Sequence, residues 1–574
     1  MTLTVVRRAP AGDAQLPAGL HPVLARAYAA RGVRSGADLD TSLARLLPVG
    51  TLEGIEQAVG LLIAHRTGGR VLIVGDFDAD GATSSALMVR ALRALGFSAV
   101  DFLVPNRFEF GYGLTPEIVA LAAARSPTLI VTVDNGVSSH AGVTAARIRG
   151  IDVLITDHHL PGAALPDANV IVNPNLAGSR FGSRALAGVG VAFYIMAALE
   201  RRLAGEERTA PSASVTAGLL DLVALGTVAD VVPLDVNNRV LVSQGLKRIR
   251  AGRCVAGIRA LLAIAARTAA DLTAADLAFG VAPRLNAAGR LDDMSIGIQC
   301  LLADEPAEAQ RLAVRLDELN EERRAIEARM QQEALAAVRR LLEPTPALER
   351  SGVCLFDASW HQGVVGLVAS RIKDRLRRPV IAFAAADELS LRGSARSVAG
   401  VHIRDVLDAI ATRHPGLISR FGGHAMAAGL TLERARLDEF ARAFDAEVER
   451  CKGALAADAV QTDGELEVGE ISLATAEALR AGGPWGQSFP EPSFDGVFNI
   501  RNARVIGERH VKMWVEPPSS GRSFDAVAFN LLAEGGEGEL PSGLAQLIYR
   551  LDVNAYQGER RLQLMVEHLL PVAR

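Results

Sequence analysis

Val71-Leu72-Ile73-Val74-Gly75-Asp76-Phe77-Asp78-Ala79-Asp80-Gly81 is an aliphatic run closed by three carboxylates at alternate positions. Its first four residues are mostly β-branched, the composition of a strand buried on both faces. A helical stretch follows from about Ala82 to Leu95. Further outward come apolar runs at Val100–Val104, Leu129–Val133 and Val153–Ile155, and a weaker one at Val170–Val172. Such runs separated by helical patterns predict an α/β fold with a parallel, doubly wound sheet over about residues 50–235.

Two more of these strands end in polar side chains. Thr132-Val133-Asp134-Asn135-Gly136 closes one, and Thr156-Asp157-His158-His159 closes another. In a parallel sheet the carboxyl ends of the strands share one edge, where ligands bind. Asp76, Asp78, Asp80, Asp134, His158 and His159 are therefore expected to converge. Leu225-Gly226-Thr227-Val228-Ala229-Asp230 offers one more carboxylate after an apolar run. A lone aspartate at a strand end is ordinarily a turn former or helix cap. Several together repel unless a cation neutralises them. Oxygen and imidazole donors suit Mn²⁺, and Mg²⁺ where oxygen dominates. An EF-hand loop is excluded: its twelfth position is Leu87 rather than Glu, and a strand precedes it.

The chain has 574 residues, 49% hydrophobic and 22% charged, with a net charge of −4. This is an ordinary globular balance, without the global basic field of many nucleic-acid binders. Any attraction for nucleic acid must be local or supplied by metal ions. No apolar window is long enough for a transmembrane helix, and no secretory leader follows Met1, so no membrane association is expected. Four isolated cysteines, Cys254, Cys300, Cys354 and Cys451, fit a reduced cytoplasmic protein. Residues 1–48 read as a helical segment and 49–306 as the catalytic domain. Residues 307–343, without Gly or Pro, predict one connecting helix of about 55 Å, with Leu312, Leu316, Leu319, Ile326 and Met330 on one stripe. A smaller α/β block is expected over 344–455, with strands at Val353–Phe356 and Val380–Phe383. After an Ala/Asp-rich stretch near 453–463, the short alternating runs of 464–574 predict a β-barrel.

The acidic motifs Asp76–Gly81, Val133–Gly136 and Asp157-His158-His159 resemble the successive motifs of the DHH phosphoesterase superfamily, and Asp230 matches its later metal-binding aspartate. The resemblance implies two divalent ions, Mn²⁺ or Mg²⁺, that activate water and clamp a phosphoryl group. It implies Asp76, Asp78, Asp80, Asp134, His158 and Asp230 as ligands. His159 is then a ligand or a contact to the scissile phosphate, and Asp157 orients a histidine from behind. Pro105–Gly113, Leu186–Phe193, Asp221–Leu234 and Pro283–Arg290 are similar to phrases of the superfamily's single-stranded-DNA exonucleases. Phe77, where Tyr is expected, and Gly486–Pro490 depart from the pattern without touching a ligand.

In the second block, Trp360–Gly366, Gly393–Ser397 and Phe421-Gly422-Gly423-His424 with Ala427–Gly429 resemble the DHHA1 domain. Between Asp357 and His424 stand ten basic and six acidic residues, a local positive excess. Gly393 and Gly422-Gly423 allow close approach of a phosphate, to which Ser394, Arg396 and His424 can donate. The resemblance implies that Ser394 and Arg396 hold a 5′ end, giving 5′→3′ polarity, and that Arg284 and Arg290 contact a phosphate nearer the metals. The last segment interleaves Trp485, Phe489, Phe494, Trp514, Tyr549 and Tyr556 with Arg501, Arg504, Arg509, His510 and Lys512. That mixture suits single-strand binding on an OB-fold, with most aromatics still expected in the core. The expected protein is a monomeric, metal-dependent exonuclease on single-stranded DNA in recombination and repair, with a single-stranded-DNA-binding protein and a helicase as partners. Rival readings are a phosphoesterase for short oligonucleotides or cyclic dinucleotides, and a non-enzymatic scaffold.

Overall fold

The computed structural model describes residues 4–10, 12–105, 113–162, 164–206, 214–342, 350–398, 400–451, 459–507, 509–532, 539–556 and 559–572. The Pro105–Gly113 phrase, except for its two end residues, lies outside them. So does most of the expected linker near 453–463.

Two compact units result. One comprises residues 1–289, 293–316 and 459–574, and the other 290–292 and 317–458. In the first, five strands form a sheet in the order Val100–Leu103, Val71–Val74, Leu129–Val133, Asp152–Thr156, Val170–Val172. Every neighbouring pair is parallel, with Ile73 beside Val131 and Val131 beside Leu154. All residues of Val71–Val74 and Leu129–Val133 are buried, because helices cover both faces. Leu72, Ile130 and Val153 pack against Ile118, Val119 and Val143 of the flanking helices. The helix Ala79–Ala94 is itself almost wholly buried, which its run of small residues permits.

The helical expectation for residues 1–48 is corrected. Among its described residues this segment holds one α-helix, Pro22–Ala29, two 3₁₀ turns and a strand, Thr4–Arg7. The strand pairs in parallel with Ala459–Thr462, inside the stretch expected to be a linker. Charge holds the pairing in place. Arg7 lies 2.7 Å from Asp495, and Asp463 takes Arg8 at 3.2 Å and Arg31 at 2.6 Å. Thr462 adds a hydroxyl bond to Asp495. The tie between chain ends thus rests on partners more than 400 residues apart, which no local pattern announces.

The helix Pro306–Leu342 runs for 37 residues, and the division between the units falls within it, after Leu316. Leu312, Leu316, Leu319 and Met330 are buried along it and Ile326 partly so, as the stripe predicts. The second unit has a mixed sheet in the order Arg420–Gly423, Ala427–Glu433, Ser390–Arg396, Val380–Ala385, Val353–Phe356. Phe383, Phe440 and Phe444 centre its core. The C-terminal residues close a five-stranded barrel in the order Phe494–Ile506, His510–Glu516, Phe524–Ala528, Glu559–Pro571, Gly543–Tyr556. Its first strand also pairs with Gly543–Tyr556, so that pair has no free edge.

Candidate metal centre

The strand Val71–Val74 delivers the chain to Asp76, and Asp78 then caps the following helix. Asp78 Oδ1 accepts from the Gly81 amide at 3.0 Å, which satisfies an otherwise orphaned donor. Asn286 fixes the same turn by accepting from the Ala79 amide at 2.8 Å. Asp80, in the first turn of that helix, is buried against the start of the helix Gly188–Glu206. Its oxygens accept from the amides of Gly188 at 2.6 Å and Val189 at 2.9 Å. A helix N-terminus favours negative charge, so this contact orients and partly compensates the carboxylate. Gly188 has no alternative here, since a Cβ would lie 2.8 Å from Asp134 Oδ1.

Asp134 follows the strand Leu129–Val133 with φ of 61°, a left-handed turn that aspartate tolerates better than most residues. Its amide donates to Thr156 at 3.0 Å, continuing the ladder past the strand end. From the next strand, His158 brings Nε2 to 3.0 Å from Asp134 Oδ1 and 3.5 Å from Asp230 Oδ2. Asn175 and Asn173 secure the backbone beneath by donating to the carbonyls of His158 at 2.6 Å and His159 at 2.8 Å. Asp157 is fully buried. It accepts from the amides of Val137 and His159 and, at 2.8 Å, meets His159 Nδ1.

Asp230 arrives differently from the strand-end expectation. It caps the C-terminal end of an α-helix, Leu220–Ala229. The apolar run before it is buried on every side of that helix, which is why it reads like a strand.

Ligand-type atoms converge in three overlapping groups: Asp76, Asp78 and Asp134; Asp80, His158 and Asp230; and Asp134, His158 and His159. Within each group these atoms lie within 4.8 Å of one another. All seven expected residues are thus brought together. Burial and the neighbouring carboxylates push Asp134 and Asp230 well above the usual carboxylate range, and Asp80 up to about 7. Burial disfavours the His159 cation, but the bond and charge of Asp157, with Asp230 and Asp76, prevail and raise it to about 9. The chemistry of this donor set, carboxylates in excess with one or two imidazoles, fits a hard divalent cation. A cation would replace proton sharing as the source of neutrality.

The expected phosphate contacts fall into two groups. Arg284 lies on the helix Ala282–Leu291, just after a π-helical turn, and donates to the Gly280 carbonyl. Arg290, Ser394, Arg396 and His424 belong to the other unit. There Arg290 donates to the Gly363 carbonyl at 3.3 Å. Arg396 ends the strand Ser390–Arg396 and donates to Ser394 Oγ at 2.9 Å. A Cβ on Gly366, near the start of the helix Val365–Leu376, would sit 2.8 Å from Arg396 Nη2. His424 is exposed.

Sequence reasoning did not single out Gly188, Val189, Asn173, Asn175 or Asn286. Gly188 and Val189 stand inside the quoted Leu186–Phe193 phrase, but main-chain donors leave no mark on residue type; Asn286, a side-chain acceptor, stands inside Pro283–Arg290. Among the barrel-segment aromatics, Phe489, Phe494 and Tyr549 are buried, and Trp485 stacks on Phe489 at 5.1 Å. Trp514 is 47% exposed. Tyr556 has a side chain outside the described residues.

The chain matches the model of the DHH family N-terminal domain over residues 70–227, that of the DHHA1 domain over 349–450 and that of the RecJ OB domain over 462–568. It is 53% identical to the single-stranded-DNA-specific exonuclease RecJ of Dickeya dadantii, over 99% of this chain and 100% of that protein. Identity to the Escherichia coli protein of the same description is 52%, over 99% of each. The crystal structure of Thermus thermophilus RecJ in complex with Mn²⁺ superposes with a TM-score of 0.79 at 31% identity, covering 97% of this chain and 76% of that one. A second structure of that protein holds Mg²⁺. Sequence along the whole length, three family models in order and a solved fold agree, and the chain belongs to the RecJ family of DHH phosphoesterases.

Proposed function

We propose that the protein is a metal-dependent exonuclease that hydrolyses phosphodiester bonds of single-stranded DNA in the 5′→3′ direction, in recombination and DNA repair. The observation that carries this reading is the convergence of buried Asp76, Asp80 and Asp134 with half-buried Asp78, His158, His159 and Asp230 at the carboxyl edge of the sheet. Two ions, Mn²⁺ or Mg²⁺, occupy it, with Asp76, Asp78, Asp80, Asp134, His158 and Asp230 as ligands. When bound, such ions lower the pKa of water and stabilise charge on the phosphoryl oxygens. His159, held by Asp157, presents a cationic imidazole toward the scissile phosphate. The raised His159 pKa supports that role.

Arg284 and Arg290 contact phosphates, and Ser394, Arg396 and His424 hold the 5′ end. Burial pulls the Arg396 guanidinium below its usual value, as expected of a cation built to meet an anion. The domains are an N-terminal segment (1–48), a catalytic domain (49–306), a connecting helix (307–343), a DHHA1 domain (344–455) and an OB-fold (464–574). No single helix among the described residues is long and apolar enough to cross a membrane. The working form is a cytoplasmic monomer that meets single-stranded-DNA-binding protein and a helicase.

Long single strands labelled at either end, incubated with Mg²⁺ or Mn²⁺, test the reading. Mononucleotides should appear first from the 5′ end, only with a divalent ion. Asp134→Ala should abolish hydrolysis while single-strand binding persists. Turnover near the parent rate in that variant would sink the metal assignment. Activity confined to oligonucleotides of a few residues would favour the shorter-substrate reading.

A further inference from the structure

A cavity of about 410 Å³ opens beside the helix Leu220–Ala229. The turn after that helix, the π-helical turn Leu277–Val281 and the segment around Trp485 bound it. None of the seven cluster residues lines it. Its volume suits a small ligand, since such sites run to roughly 300–1,000 Å³.

Its lining describes the ligand. Phe279 projects from the π-helical turn with 77% of its surface exposed, an unused flat apolar face. Three guanidiniums line the cavity, those of Arg250, Arg480 and Arg550, against one carboxylate, Glu491. Arg550 is already paired, with Glu491 and Glu567. Arg250 and Arg480 instead donate to neutral carbonyls, those of Leu272 and Asp271, each at 2.9 Å. Burial first, and then the like charge of Arg480, pulls Arg250 below its usual value. Two cations beside an aromatic wall complement a flat apolar body that bears an anion.

The cavity also touches the catalytic elements. Val231, in its wall, has φ of 60°. A β-branched residue rarely adopts that conformation, and surrounding structure must maintain it. Val231 directly follows Asp230. Gly280, in the π-helical turn that supplies Phe279 to the cavity, accepts from the guanidinium of Arg284.

We propose that this cavity is a second nucleotide site, which takes a free nucleoside monophosphate with its base against Phe279 and its phosphate at Arg250 and Arg480, and that Val231 transmits its occupation to Asp230. The proposal rests on the exonuclease reading, because mononucleotides are the product of that reaction. A strand carries the same base and phosphate unit, so the test must separate the two sources.

Calorimetric titration of dTMP and dAMP into the full-length, metal-stripped protein in EDTA removes binding bridged by divalent ions. Saturable binding is expected, with thymidine at least tenfold weaker for want of the phosphate. Phe279→Ala and Arg480→Ala should each weaken it about tenfold, and Asp134→Ala should leave it unchanged. No saturable binding, or parent affinity in both cavity variants, overturns the proposal. Displacement of dTMP by a short oligonucleotide whose own affinity falls in Phe279→Ala would assign the cavity to the strand and overturn the product site. Failure of the exonuclease reading would show separately, as an undegraded labelled strand with the parent protein and Mn²⁺.

Discussion

Asp157 Oδ1 lies 2.8 Å from His159 Nδ1, and the carboxylate that makes this bond is almost completely buried. The bond fixes the ring through Nδ1, and it favours the imidazolium. Asp157→Asn keeps the shape but removes the charge. Hydrolysis should fall by roughly 10–100-fold, the usual effect of losing such a supporting carboxylate. The alkaline limb of the pH–rate profile should also move down from about 9, because the variant no longer raises His159. A parent profile in Asp157→Asn would show that His159 needs no such partner.

Metal uptake should depend steeply on pH. Asp80 is raised to about 7, so in the metal-free protein it is largely protonated below that pH. Ligation requires the carboxylate, and binding must release protons. Mn²⁺ affinity should therefore weaken as pH falls through about 7. For the metal-free protein the sign is the reverse. A carboxyl whose folded pKa lies above its unfolded one binds more protons when folded, so stability declines as pH rises from the ordinary carboxylate range to about 7. Melting curves with and without Mn²⁺ across that window should diverge toward high pH. Parallel curves would contradict the cluster's electrostatics.

Arg396→Ala should weaken engagement of 5′ ends without emptying the metal centre. A charge-assisted bond contributes about 1.5–3 kcal/mol, or roughly 10–100-fold in affinity. Competition between strands with and without a 5′ phosphate reads this out, and Mn²⁺ titration provides the control. Unchanged preference among 5′ ends would remove Arg396 from the proposed role.

Trp514 stands in register between Asn502 and Asp525 on the barrel, with Arg504 and Lys512 paired beside it. Trp514→Ala should lower affinity for long single strands by about 1–3 kcal/mol, the contribution of one stacked base. The half-exposed ring makes the variant safe to fold, and turnover at saturating DNA should be retained. Equal binding of long strands by parent and variant would move the DNA track elsewhere. Deleting the whole segment after residue 464 is a poorer test, because Leu234 donates to the Gln487 carbonyl and Tyr28 to that of Gly482.

The strand-end residues were legible because parallel topology turns a sequence pattern into a place: Asp76, Asp134 and His158 had to meet once three strands ran the same way. Asp230 was legible only as a carboxylate. Its position depends on how a fully buried helix packs, and such a helix has no amphipathic period to reveal it. Asp80's anchor was invisible for another reason, since it consists of the amides of Gly188 and Val189. The Thr4–Arg7 strand carries no alternation of burial and pairs with residues 455 positions away, so local reading assigned it to a helix.

That terminal pairing has a consequence for synthesis. The first unit is assembled from both ends of the chain, and the second is inserted into it. Emerging from the ribosome, Thr4–Arg7 must wait for Ala459–Thr462, and Arg31 for Asp463, while the inserted unit has all its own residues earlier. Closing so long a loop is entropically slow. The nascent enzyme therefore completes its catalytic unit last, after Ser394 and Arg396, the proposed phosphate contacts, already stand on a finished sheet. Chaperone demand should concentrate in that interval, when Tyr28 and the aliphatic wall of the first helix still lack the Trp485 segment that covers them.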